Sequence, residues 1–106
     1  MNESMIVNQI MRVLAKHGQV FRTNSGTVKT ATGHTFHGLP KGFSDLMFVG
    51  PGGVAAFVEV KAPGGKASPE QLRFLGKMQG LGCRAGIAYS VLDACQICGI
   101  EPEKPP

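Results

Sequence analysis

Asp45 and Glu59 are separated by thirteen residues, and Glu59 is followed two positions on by Lys61. Two carboxylates and an ammonium brought to one point are suited to a hard divalent cation, because paired acids repel when both ionise and a nearby lysine only partly offsets this. Mg²⁺ held by one or two carboxylates keeps several waters, one of which can attack phosphorus in line. Lys61 could orient or deprotonate that water, or stabilise developing negative charge. The competing reading is a surface Glu-x-Lys pair beside an unrelated aspartate.

The elements that must position these groups are two strands. Val54 to Lys61 is an apolar, valine-rich run that turns to alternation, between Gly50-Pro51-Gly52-Gly53 and Pro63-Gly64-Gly65. It reads as a buried strand. A period of two puts Glu59 and Lys61 on one face, with Val58 and Val60 on the other. Asp45 to Val49 is a second strand, and the short Gly/Pro link predicts an antiparallel hairpin. With Pro51-Gly52-Gly53 as the loop and Gly53 left-handed, Gly50 pairs with Val54 and Asp45 falls opposite Glu59. One face then carries Asp45, Met47, Val49, Ala55, Phe57, Glu59 and Lys61. The other, with Leu46, Phe48, Val54, Ala56, Val58 and Val60, is wholly apolar. A slip of one residue would separate the two acids across the sheet.

Gly42-Phe43-Ser44-Asp45, Glu59-Val60-Lys61 and Ser68-Pro69-Glu70-Gln71 resemble the VRR-NUC branch of the PD-(D/E)XK nucleases. The resemblance continues through Arg22 to Gly26 upstream and Gly82 to Ser90 downstream; a serine precedes Asp45 where proline is frequent. It implies a restriction-endonuclease-like α/β fold, a mixed central sheet flanked by helices in the order α-β-β-β-α-β-α. It also implies Asp45 and Glu59 as metal ligands with the Val60 carbonyl as another, Lys61 as catalytic, and Gln71 reaching the site from the next helix. The activity implied is Mg²⁺- or Mn²⁺-dependent cleavage of DNA phosphodiesters, structure-selective at branches. Stand-alone members of viral type are homodimers that act on four-way junctions. A first-helix acid often joins the metal site in the wider superfamily, which makes Glu3 a candidate; its alternative is a first-turn acid favoured by the helix dipole. The reading from another class is a DNA-binding module of the same fold that does not cut.

At 106 residues, with 42% hydrophobic and 17% charged, the chain suits one core and so one domain, over 1–100, with a proline-rich, disordered tail over 101–106. No run approaches the ~18 apolar residues of a membrane span, and the start lacks a signal-peptide pattern. The expected location is intracellular, in the cytoplasm of a bacterial or phage-infected cell. Net charge is +4, and from Ser4 to Ser44 there is no acid. That half suits a polyanion, although a modestly basic surface with no such partner is the plainer reading. Arg22, Asn24, Lys29 and Lys41 are the candidate DNA contacts there. His34 and His37 could touch phosphate or simply be solvated. Cys95-x-x-Cys98 lacks the second Cys/His pair that zinc needs, so these cysteines are expected to pack as small hydrophobes.

A first helix is expected from an Asn2 or Ser4 cap to Lys16 or His17, with Gly18 as its stop and Ile6, Ile10, Val13, Leu14 and His17 as its buried stripe. Gln19 to Thr23 is a strand, and Asn24 to Lys41 a loop or irregular hairpin over the substrate. Ser68-Pro69-Glu70-Gln71 starts a second helix with capping-box spacing, which gives Gln71 a structural job that competes with the site. Leu72, Leu75, Met78 and Leu81 form its expected buried stripe, and Arg73 and Lys77 lie outward, four apart, for backbone phosphate. Arg84 to Ser90 should rejoin the sheet through a crossover, and a short helix is expected from Val91 to Cys98.

Overall fold

The computed structural model describes residues 1–23, 27–29 and 31–102. Helix α1 spans Glu3–Leu14, and Asn2 is its cap, its side-chain oxygen accepting the Met5 N–H at 2.9 Å. The helix closes earlier than its sequence suggests. Its last carbonyls, those of Val13 and Leu14, take the N–H groups of Lys16 and His17, a tighter i to i+3 pattern that ends the α geometry before Gly18. Ile6, Val7, Ile10 and Leu14 are buried, whereas Val13 and His17 are only partly so.

Strands β1 (Gln19–Arg22), β4 (Leu46–Val49), β5 (Ala55–Val60) and β6 (Arg84–Ala88) form one sheet in the order β1-β4-β5-β6. The first three are antiparallel neighbours. β6 runs parallel to β5, as a crossover through helix α2 (Pro69–Gly80) requires. Among the described residues, strands β2 (Thr27–Lys29) and β3 (Thr35–His37) pair with each other and not with this sheet, so the stretch expected as a loop or irregular hairpin contains a regular one.

Register decides the site, and here the turn chemistry sets it. The Gly53 N–H bonds the Gly50 carbonyl at 3.1 Å, with Pro51 at the position that suits its fixed φ and Gly52 at φ +81°. Gly53 also has positive φ, and the Gly50 N–H reaches the Val54 carbonyl at 3.2 Å. Leu46 therefore pairs with Val58 and Val49 with Ala55, which places Asp45 opposite Glu59.

The two faces of the sheet differ in kind. Leu46, Phe48, Ala56, Val58 and Val60 are buried in one cluster with Ile6, Val7, Ile10 and Leu14 of α1 and Ala94 and Cys98 of helix α3 (Val91–Cys98). Val54, at the end of that apolar row, is 48% exposed. Cys95 and Cys98 are buried and form no disulfide, and burial pushes the Cys98 thiol up to about 11, with the neighbouring Cys95 adding to it. On the opposite face α2 docks through Phe74, whose ring lies 4.4 Å from that of Phe43 and 5.5 Å from that of Phe57. Its inward stripe is Gln71, Phe74, Leu75 and Met78, while Leu72 and Leu81 are 54% and 69% exposed. Leu75 and Met78 face inward as the periodicity predicts, but Leu72 and Leu81 do not, because the Phe74 ring takes the place on the sheet. Ser90 caps α3 and Gly99 ends it in the left-handed conformation.

Gly42 sits at φ +92°, and a Cβ there would lie 2.6 Å from the Glu70 carbonyl oxygen. The turn before β4 is thereby held flush against the start of α2. Gly76, on the solvent side of α2, has no atom within 4 Å of the place a Cβ would take. The two glycines should therefore respond oppositely to alanine. Gly42→Ala is expected to destabilise by roughly 2–4 kcal/mol through backbone strain and displacement of α2. Gly76→Ala is expected to stabilise by about 0.5–1 kcal/mol, the usual gain in a helix interior. Urea unfolding midpoints at unchanged slope would show both.

Candidate metal centre

Glu59 is the penultimate residue of β5, and only 1% of it is exposed. Its placement follows from the pleat: it shares a face with Phe57 and Asp45, where α2 and not solvent lies above it. One carboxylate oxygen, Oε2, accepts the Gln71 side-chain N–H at 2.9 Å and lies 3.3 Å from Lys61 Nζ. The other, Oε1, is buried and has no hydrogen-bond partner. A buried carboxylate oxygen without a donor is unfavourable, commonly by ~1–3 kcal/mol or more for a charged group. It is also what a cation ligand looks like before the cation is supplied.

Asp45 stands just ahead of β4. One of its oxygens accepts the Val60 N–H at 2.8 Å, and its own carbonyl accepts the Thr23 N–H at 2.9 Å. The aspartate is thus clamped between β1 and β5 with one oxygen committed to backbone. Ser44 beside it is buried, its hydroxyl bonding the Leu46 carbonyl at 3.0 Å, while its own carbonyl accepts the Thr23 hydroxyl. Phe43 completes the segment by its ring contacts with Phe57 and Phe74. Lys61 is anchored through its N–H to the Ala88 carbonyl at 3.0 Å, and its side chain is 16% exposed.

Electrostatics follow from this crowding. The Glu59 carboxyl is pushed up to about 7, first by burial and then by the Asp45 charge, with Lys61 opposing. Gln71 performs both jobs that its position allowed. Its Oε1 accepts the Ser68 N–H at 2.8 Å and its backbone N–H reaches the Ser68 hydroxyl, completing the capping box, while its Nε2 holds Glu59.

Donor chemistry at this point fits a hard cation: two carboxylates on facing strands, one with a buried oxygen lacking any partner. Among the described residues no group of three or more His, Cys, Asp and Glu side chains is placed to hold a metal. Glu3, exposed in the first turn of α1, is accordingly not brought to the pair, and its position is that of an acid on the helix dipole.

The basic candidates are more scattered. Arg22 is exposed on β1, but it pairs with Leu46, so the pleat directs it to the face opposite Asp45 and Glu59. Lys41 is exposed beside the start of α2. The Glu70 carboxyl is held below its usual range mainly by its own backbone N–H, with the Lys41 and Arg73 charges contributing. Arg73 lies 3.9 Å from Glu70 and is largely exposed, as is Lys77. Lys29 is placed by its backbone on β2, and Asn24 lies outside the described residues. A contact that sequence reading missed is made by Tyr89, whose hydroxyl donates to the Gly65 carbonyl at 3.0 Å and ties the loop after Lys61 to the end of β6. Its only signal was an isolated tyrosine at a strand terminus. A cavity of about 500 Å³ bordered by His17, Gly50, Val54, Arg84 and Ile100 lies at the far end of the β4–β5 hairpin, away from the carboxylates. No helix among the described residues is long and apolar enough to cross a membrane.

Comparison with known proteins agrees with the arrangement of these elements. The VRR-NUC domain family matches residues 7–92. A solved structure described as a VRR-NUC domain superposes with a TM-score of 0.66 at 23% identity, over 92% of this chain and 94% of the other. That likeness establishes the fold, a mixed sheet with flanking helices of restriction-endonuclease-like type. No curated protein matches the chain.

The raised Glu59 carboxyl makes stability depend on pH in a definite direction. A carboxyl whose native pKa lies above its unfolded value stabilises the fold most while protonated, and that contribution is lost as pH rises from about 4.5 through about 7. In metal-free buffer, Glu59→Gln should remove this downward slope and be more stable than wild type at pH 8. Thermal or urea unfolding across pH 4–8 checks it; an identical slope in the variant would place the ionisation elsewhere.

Proposed function

The chain belongs to the VRR-NUC domain family, a nuclease family, and from that premise we propose that it is a divalent-metal-dependent deoxyribonuclease that selects branched DNA such as four-way junctions. The observation that carries this reading is Glu59: a carboxylate 1% exposed, gripped on one oxygen by Lys61 and Gln71, with the other oxygen partnerless beside Asp45. A purely structural role gives no reason to crowd a second acid against it, and a protein that only binds DNA would gain from having neither.

Asp45, Glu59 and the Val60 carbonyl are the groups that would hold Mg²⁺ or Mn²⁺. When bound, such an ion neutralises the carboxylates and acts as a Lewis acid toward a phosphate oxygen. The protein's own groups do the remainder. Asp45 is oriented by the Val60 N–H, which leaves its second oxygen free of that bond. Gln71 fixes the rotamer of Glu59 by donating to Oε2. Lys61 Nζ presents positive charge at the same carboxylate edge, where it can hold a water or meet the negative charge that builds on phosphorus during attack. Phosphate contacts from Lys41 and Arg73 around the start of α2, and from Lys77 in its last turn, would orient the backbone without reading sequence. Arg22 and Lys29 would act farther out, from the sheet edge and the β2–β3 hairpin.

Asp45→Ala and Glu59→Ala are each expected to abolish Mg²⁺- or Mn²⁺-dependent cleavage of junction, flap and linear substrates while leaving DNA affinity equal or higher, because an acid that repels phosphate is gone. Lys61→Ala should keep Mn²⁺ binding in calorimetry and lower the rate by roughly 10²-fold or more. Binding without cleavage in the wild type under every metal condition would instead indicate a non-cleaving DNA-binding module. A second expectation concerns assembly. One chain supplies one such site, and symmetric cutting of a four-way junction needs two, so light scattering should show a two-fold dimer, free or on junction DNA. A strict monomer in both conditions would point to a nickase or single-strand cutter.

A further inference from the structure

Phe21 is an aromatic side chain left 48% exposed in the middle of a strand. It pairs with Met47 across β1–β4, and Met47 pairs with Phe57 across β4–β5, so all three point to the face that carries Asp45 and Glu59. Val20, its neighbour in sequence, points the other way and packs against the core. That face is only half covered. Helix α2 lies over β5 and β6, and on the β1–β4 side Phe21 and Gln19 are exposed while Met47 and Val49 are partly so. Among the described residues, Phe21 is the most exposed apolar side chain on this half of the face, two residues along the ladder from Asp45.

We infer that Phe21 is a stacking platform for an unpaired base of the substrate, one or two nucleotides from the phosphate that is cut. The inference rests on the nuclease reading above. Phe21 is diagonal to Asp45 in the β1–β4 pair, a separation of ~7–8 Å, which an unpaired base beside the phosphate can span. A base at that distance from the metal ligands meets an exposed ring and a thioether edge, the surface on which bases stack irrespective of their identity. Charge agrees with this occupant in that no acid occurs anywhere from Ser4 to Ser44, while Arg22 itself points to the other face. Stacking requires a base that is out of the duplex, which ties the preference for branched or flapped DNA to one side chain.

The test uses DNA with 2-aminopurine in an unpaired arm one or two nucleotides from the cleavage point, bound to full-length protein carrying Asp45→Ala so that it stays intact. The fluorescence should be quenched on binding, and the quench should vanish in the same background with Phe21→Ala or with Phe21→Leu, which keeps apolar bulk. Phe21→Tyr should retain it. Affinity for the flap should fall about ten-fold in Phe21→Ala, with affinity for blunt duplex unchanged. An equal loss on blunt duplex, or an unaltered quench, would overturn the proposal, as would conversion of a dimer to a monomer by Phe21→Ala in light scattering, which would assign this face to a second copy of the chain. The quench is read without any cleavage, so wild-type protein that cuts nothing under Mg²⁺ or Mn²⁺ would remove the nuclease reading while this measurement still decides whether Phe21 stacks on a base.

Discussion

Everything near the site follows from keeping one carboxylate in the interior. An isolated ionised acid in an apolar surrounding is costly enough that it normally gives up its charge. Glu59 is that acid, and each neighbouring element supplies part of the accommodation. β5 brings Lys61 onto the same face, α2 brings the Gln71 amide, and β6 holds the Lys61 backbone through Ala88. Asp45 works against them, since its charge adds to the cost of ionising Glu59. The arrangement leaves one buried oxygen of Glu59 without a partner, the place that the proposed cation would take.

Stability and chemistry are divided between the two faces of the sheet. On the α1 and α3 side the strands contribute apolar side chains to a closed cluster, and the buried Ser44 hydroxyl nearby is satisfied by a backbone carbonyl. On the other side three aromatic rings, Phe43, Phe57 and Phe74, anchor the start of α2 and leave room beside them for polar work. Such a division lets the acid pair be strained without endangering the core, because the packing that holds the strands together does not pass through it.

The hairpin and its facing acids were legible in the sequence because a Gly-Pro-Gly-Gly link allows few turn geometries and an alternating strand cannot change face without a visible break. The caps of α1 and α2 were legible for the same reason, as local side-chain-to-backbone bonds. Tertiary choices were less so. The rotation of α2 was read from leucines, yet Leu72 and Leu81 face solvent, since aromatic packing with Phe43 and Phe57 outweighs aliphatic periodicity. Glu3 was a candidate as a first-helix acid one turn before Ile6 on the buried stripe, but nothing local tells how α1 crosses the sheet. Arg22 was chosen for charge, and only the β1–β4 register reveals that it points away from the acids. For Gln71 the sequence offered two roles as alternatives; a primary amide has both an acceptor and a donor end, and the fold uses one for each.

The turn at Pro51–Gly53 begins six residues from Asp45 along β4, roughly 20 Å at the rise of an extended strand, and touches none of the groups in the site. Its geometry nonetheless fixes which residues of β5 share a face with Asp45. A turn that shifted the pairing by a single residue would preserve the strands, the hydrophobic content and the fold class, but would send Glu59 and Lys61 to the face opposite Asp45. The β2–β3 hairpin, which among the described residues shares no ladder with the sheet, carries no such constraint.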